Sequence, residues 1–140
     1  MAAIYSAYRT YEVKRQVAEG IAIGNELISP VTEFFRRQGE VPSADTLNVA
    51  NLPFSSAIVQ SVTVVDGRID IRYGDDADPA LVGRQISLTP FETVERSVVW
   101  VCGNKLPGAG VKPLGFASGG RRAIQIPTTI EARYLSQHCR

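Results

Sequence analysis

From residue 3 to residue 38 the apolar side chains recur on one side at helical spacing, and no other stretch constrains the fold as much. Val13, Val17, Ile21, Leu27 with Ile28, Val31, and Phe34 with Phe35 follow one another at steps of mostly three or four residues. The opposite side carries Glu12, Lys14, Arg15, Glu19, Glu26, Glu33, Arg36 and Arg37. Glu33 and Arg37 form an i,i+4 pair in the favoured order, and Arg36 with Arg37 suits the negative end of the helix dipole. Gly39 is a natural stop. Gly20 and Gly24 weaken the helix, and Pro30 is expected to kink it or to open a new segment capped by Ser29. A one-sided helix of this length cannot bury itself and needs a sheet to lie on.

The period then changes. Residues 39–54, with Gly39, Pro42, Asp45, Asn48, Asn51 and Pro53, read as a connecting loop. Ile58–Val65 reads as a strand, and Asp66-Gly67 is a two-residue hairpin signal. Its partner, Arg68–Tyr73, alternates: Ile69, Ile71 and Tyr73 inward, Arg68, Asp70 and Arg72 to water. Gly74–Pro79 is a turn. A third strand is expected over about Arg84–Thr89, with Ile86 and Leu88 inward, and a fourth over about Ser97–Gly103. Consecutive hairpins make an antiparallel meander. The predicted fold class is α+β: one long helix across a four-stranded sheet spanning 55–103, followed by an irregular C-terminal region rich in Gly and Pro. In that region an extended piece at Ala123–Ile126 and the pair Tyr134-Leu135 are expected to hold the tail. The whole of 1–140 is read as one domain, its length sufficient for one core.

With 44% hydrophobic and 21% charged residues, the composition is that of a folded globular chain. Net charge is +1. It is unevenly placed: after residue 101, Lys105, Lys112, Arg121, Arg122, Arg133 and Arg140 face Glu131 alone, which makes that part +5 and the remainder −4. There are two cysteines, Cys102 and Cys139. They are too few for a four-ligand zinc site and lack the CxxC spacing of a redox pair. They can stay reduced and buried, or form one bridge closing a loop of about 38 residues, worth on the order of 4 kcal/mol. The poor apolar periodicity between them favours the bridge, and with it an oxidising compartment. No run reaches the roughly 18 apolar residues of a membrane span, and no signal peptide is legible. A bridged protein without an export signal suggests that an upstream segment was removed.

Several residues carry a family resemblance. Ala7-Tyr8-Arg9-Thr10-Tyr11-Glu12-Val13-Lys14-Arg15-Gln16-Val17-Ala18-Glu19-Gly20 resembles the stretch of type IV pilins that follows their hydrophobic N-terminal segment. Ser61–Val64 with Asp66-Gly67 and Tyr73–Ala77 resembles their first hairpin, Ile86–Pro90 their third strand, and Trp100-Val101-Cys102 the end of their fourth. Tyr134-Leu135 with Cys139-Arg140 is similar to their C-terminal closure. The match covers nearly the whole chain. It implies a structural subunit of an extracellular pilus fibre of a Gram-negative bacterium, anchored in the inner membrane before assembly, cut by a prepilin peptidase and N-methylated. Its partners would be other pilin subunits in a helical homopolymer and the assembly machinery. Adhesion, twitching motility and DNA uptake are the implied roles. The alternative is a minor or competence pilin whose basic head binds DNA or a host surface. The processed N-terminus and most of the apolar helix of the family are not in this sequence, which is therefore expected to behave as a soluble monomer.

The candidate functional residues follow. Cys102 and Cys139 are the disulfide pair. Tyr5, Tyr8 and Tyr11, at i, i+3 and i+6, would pack between helices in a fibre, or else form a solvent-facing stripe. Lys105, Lys112, Arg121 and Arg122 are the candidate anionic-ligand surface, with Phe116 the one aromatic for stacking; complementarity to the net-negative remainder of a neighbouring subunit, or solubility, is the plainer explanation. Asp66, Asp70, Asp75, Asp76 and Asp78 lack the spacing of a calcium loop, and a solvated turn accounts for them. His138 beside Cys139 has no third group to orient it, so no Cys-His nucleophile is expected, nor any enzyme activity, metal or cofactor.

Overall fold

A computed structural model describes residues 2–47, 56–116 and 119–140, with side chains from residue 6 onward. The expected connecting loop lies partly outside the described residues, Asn48, Asn51 and Pro53 included. Helix α1 runs Ala2–Asn25 and α2 runs Ile28–Gln38. Pro30 sets the interruption between them. It has no N–H for the carbonyl of Glu26, four residues back, and its ring crowds that carbonyl, so the ladder fails at Glu26 and Leu27. The cap is therefore not Ser29. Leu27 takes the N-cap position with right-handed dihedrals and no side-chain cap, and its carbonyl accepts from Val31 at 3.1 Å. Full burial of the Leu27 side chain fixes the break in the core. At the other end Gly39, at φ 71°, closes α2 by donating to the Phe35 carbonyl at 2.8 Å.

Four strands follow, β1 (Val59–Val65), β2 (Arg68–Tyr73), β3 (Gln85–Glu92) and β4 (Val98–Cys102), antiparallel and adjacent in chain order. Asp66 and Gly67 both have positive φ, 49° and 85°, the handedness a two-residue hairpin needs to match the strand twist. Strand β3 runs three residues past its expected end at Thr89, through Pro90. The Pro90 carbonyl accepts from Leu114 at 3.2 Å. In an antiparallel strand a residue's N and O share a side, so the missing N–H also faces Leu114 and costs the β4 ladder nothing. A two-residue strand, β5 (Lys112–Pro113), pairs with the far end of β3 on that side and adds to the four predicted strands.

The helix lies on one face of the sheet. Val13, Val17 and Leu27 pack with Val59, Val64, Ile69, Ile71, Tyr73, Ile86 and Leu88. At Gly20 and Gly24 the helix comes closest: a Cβ on Gly20 would collide with the Tyr73 phenol, and one on Gly24 would lie 2.6 Å from Ile71 Cδ1. These glycines set the helix–sheet spacing.

The other face is not solvated as its alternation predicts. Arg72 is exposed, but Asp70 is buried and takes Arg68 Nε at 2.7 Å and the Ser87 hydroxyl at 2.6 Å. The C-terminal tail covers this face: Arg68 Nη1 donates to the Ile124 carbonyl at 2.9 Å, and Thr128 and Thr129 bond Gln85. Beyond it Ile130, Tyr134 and Leu135 turn into the helix-side core. The expected Tyr134-Leu135 anchor is thus present. No helix among the described residues is long and apolar enough to cross a membrane.

Candidate assembly surface

Cys102 and Cys139 form the disulfide, with S–S 2.10 Å and Cα–Cα 4.5 Å. Cys102 pairs with Leu88 across β3–β4 and so faces the helix side of the sheet. Its partner arrives on a short 3₁₀ turn, Gln137–Cys139. Asn104 N–H donates to the Cys139 carbonyl at 3.1 Å. Gly103 must be glycine: its φ is 59°, and a Cβ would lie 2.6 Å from that same carbonyl. The Gln125 amide ties the following turn down through the carbonyls of Gly103 and Lys105, at 3.0 and 2.8 Å. Both thiols are consumed, so neither can act as a nucleophile beside the exposed His138.

The four candidate cations are all exposed, and their immediate neighbours differ. Lys112 Nζ and the Arg122 guanidinium lie 4.8 and 5.4 Å from the centroid of the Phe116 ring, within cation–π range. Arg121 Nη1 sits 3.7 Å from Asp66. Lys105 is on the turn after β4, beside the bridge. The acidic cluster is likewise dispersed. Asp78 pairs with Arg9 at 3.1 Å, and its oxygen accepts from Ala80 N–H at 2.9 Å. The Ala80 bond first, then Arg9, holds its carboxyl below the usual range. Among the described residues no three His, Cys, Asp or Glu converge as a metal site.

Along the outer face of α1, Tyr8, Tyr11, Arg15, Ala18, Ala22 and Asn25 are all exposed, at alternating steps of three and four. Tyr8 and Tyr11 are 66% and 65% exposed. The Tyr5 side chain lies outside the described residues. Ala18 and Ala22 border an open groove of about 440 Å³ between the helices, β4 and the bridge, with Trp100 and Cys102 among its lining residues. Trp100 Nε1 reaches Thr32 Oγ1 on α2 at 3.2 Å.

A family model described as pilin, a bacterial filament protein, matches residues 13–140. The chain belongs to the pilin family. It is 28% identical to a type IV major pilin protein PilE1 of Neisseria gonorrhoeae over 96% of its own length, and 30% identical to a fimbrial protein of Neisseria meningitidis over 69%. It spans 62% and 58% of those two relatives. As a pilin it carries the family's long N-terminal helix, antiparallel meander and C-terminal disulfide.

Three features of this pilin are carried only in part by its sequence. The glycines at i and i+4 of the helix mark close approach to bulky Ile71 and Tyr73, a signal present in the spacing. The stripe Tyr8, Tyr11, Ala18, Ala22 extends the tyrosine series, and its a/d-like steps were also legible. The groove was not, because Trp100 and the bridge reach it from a different part of the chain.

Proposed function

We propose that this pilin is a structural subunit of a type IV pilus fibre and not an enzyme. The observation that carries the reading is the outer face of α1. A long helix lies on its sheet with one side buried, while the other presents two exposed tyrosines and two alanines that the chain itself leaves uncovered. Fibre subunits need such a face, since helices that associate side by side require small residues for close approach. Tyr8 and Tyr11, with Tyr5 in the same series, are the residues assigned to contact between subunits. The bridge keeps the irregular C-terminal region closed in an oxidising exterior. Surface adhesion and twitching motility are the roles proposed for the fibre, with inner-membrane anchoring before assembly in a Gram-negative cell. Deleting the gene should abolish surface filaments, and antibody to the chain should decorate them along their length. Filaments that persist unlabelled in the deletion strain would overturn the reading.

A second reading is favoured by one observation. Lys112 and Arg122 flank the half-exposed Phe116, a pairing able to hold an anionic, flat group. It describes a minor or competence pilin whose head binds DNA or a host surface. Antibody decoration confined to fibre tips, with filament number unchanged on deletion, would select it.

A further inference from the structure

We propose that the outer edge of β4 receives one extended, uncharged peptide segment of a different protein, added to the sheet as a further strand in the groove beside α1. The proposal goes beyond the fibre-subunit reading and does not depend on it. Hydrogen bonds fix which way β4 turns its backbone. Gly103 N–H donates to the Ser87 carbonyl at 2.8 Å, and Thr93 N–H donates to the Ser97 carbonyl at 2.9 Å. Between them lie the pairs Thr89↔Val101 and Phe91↔Val99, and bonded pairs alternate with unbonded ones. Val98, Trp100 and Cys102 therefore point their N–H and C=O groups away from β3. The Cys102 carbonyl is taken by Lys105 N–H at 3.1 Å. Among the described residues nothing bonds the N–H and C=O of Val98 and Trp100, or the N–H of Cys102. The strand also lacks the features that keep an edge from pairing. Val98–Cys102 holds no charge and no proline, and its register with β3 is unbroken.

The surroundings of this edge define the occupant. Trp100, Val101 and Cys102 line a groove of about 440 Å³ together with Ala18 and Ala22 of α1 and the turn that carries Cys139. None of its lining residues is Asp, Glu, Lys or Arg. Unbonded amides about 7 Å apart along a strand call for a partner with its own open row of amides, about 4.8 Å away. A helix satisfies its amides internally and offers no such row. A charged side chain would lose water against these walls without gaining a partner. A strand already inside the sheet of a second copy brings its neighbouring strand and helix layer with it, too thick to enter between α1 and β4. The exposed uncharged segment of this chain, Leu106–Val111, is a poor donor: Pro107 has no N–H, and Gly108 and Gly110 bring no side chain. What fits is a lone extended segment with β-branched or small residues at every second position. Its main chain would supply affinity, and the side chains facing Ala18 and Ala22 would supply selectivity. In an antiparallel addition the residue opposite Trp100 shares its face and turns its own N–H toward β4.

Trp100 is the only tryptophan of the chain, so its emission reports on the edge directly. The probe is a blocked seven-residue peptide alternating valine and threonine, titrated into the chain. Emission should change saturably, and amide exchange at Val98 and Trp100 should slow at least about tenfold while β1 is unaffected. N-methylation of the valines, which face the groove, should weaken binding at least about tenfold; N-methylation of the threonines should leave it within about threefold. Val98→Pro removes an outward N–H that β3 does not use and should also weaken binding. Ala22→Glu is a second obstruction that spares the fold: Ala22 is exposed, so the variant should melt within about 3 °C of the parent and bind at least about tenfold more weakly. No saturable response, or equal binding of the two methylated peptides, would overturn the proposal. So would slowed exchange at β1 in place of β4, or tighter binding of an alanine-rich helical peptide of the same length. Sedimentation showing that the chain alone dimerises through β4, with Val98→Pro monomeric, would assign the edge to a second copy and overturn it too.

Discussion

Gly20 and Gly24 sit on the same side of α1 and look equivalent by helix propensity, where each costs about 1 kcal/mol relative to alanine. Their neighbours make them different. Above Gly20 is the Tyr73 ring, buried, with its hydroxyl donating to the Val17 carbonyl at 2.6 Å. It cannot retreat without breaking that bond. Above Gly24 is the Cδ1 end of Ile71, which can rotate away. Gly20→Ala is therefore expected to destabilise by about 1–2 kcal/mol, an overpacking cost that outweighs the helical gain. Gly24→Ala should come out within about 0.5 kcal/mol of neutral. Urea midpoints of the two variants check this, and equal stabilisation of both would mean the helix does not lie this close. Tyr73 supplies a pH test as well. Burial first, and then the nearby Glu19 charge, raise its pKa well above the ordinary tyrosine value of about 10. A raised folded-state pKa stabilises fully below the unfolded value and is lost as pH climbs past it. Tyr73→Phe should thus cost about 1 kcal/mol at pH 7 through the missing hydrogen bond, and the deficit should shrink above about pH 10. A deficit that stays constant to pH 11 would contradict the burial of this phenol.

At the scale of elements, the bridge acts on a tail that is already partly held. The segment from Ala123 on crosses the outer sheet face through polar bonds from Arg68, Gln85 and Gln125, then buries Ile130, Tyr134 and Leu135. Replacing Cys102 and Cys139 by alanine should consequently cost about 2–4 kcal/mol without unfolding the sheet. Amide exchange in residues 123–139 should quicken far more than in β1 and β2. Uniform acceleration would show that the bridge supports the whole fold and not this closure. The same tail explains what the sequence hid. The hairpin at Asp66-Gly67 and the inward set Ile69, Ile71, Tyr73 were readable because turn chemistry and a period of two are local. Asp70 and Arg68 were not, since alternation tells which residues share a face and not what covers it. Likewise Pro90 looks like a strand end until its carbonyl partner on Leu114 shows which side its nitrogen faces. Pro30 reads as a breaker and does break the helix, but the cap falls to buried Leu27 because the break is placed by the carbonyl four residues back.

For the whole molecule the question is whether a +5 tail makes a polyanion-binding head. A charge count in sequence cannot see where the charges end up. Folding sets Arg121 beside Asp66 and leaves Lys105 near the bridge. It also places Glu92 with Lys112 and Phe116 around one shallow groove. Lys112 and Arg122 remain as the cations that share a partner in Phe116. Duplex binding releases counterions with a slope near −0.9 per phosphate neutralised, so two or three contacts give a log–log salt slope of about −2 to −3. That is a weak, easily screened interaction. The monomeric chain should retard DNA at low salt only, and Lys112→Ala with Arg122→Ala should remove most of the effect. A slope steeper than about −5, or a shift that survives physiological salt, would require more phosphate contacts than Lys112, Arg122 and one further cation can make. It would then favour the DNA-binding reading over the fibre subunit. If repeated heads in a filament bind where the monomer does not, the gain comes from multivalency, since linked weak sites exceed their single affinities by about 10²–10⁴.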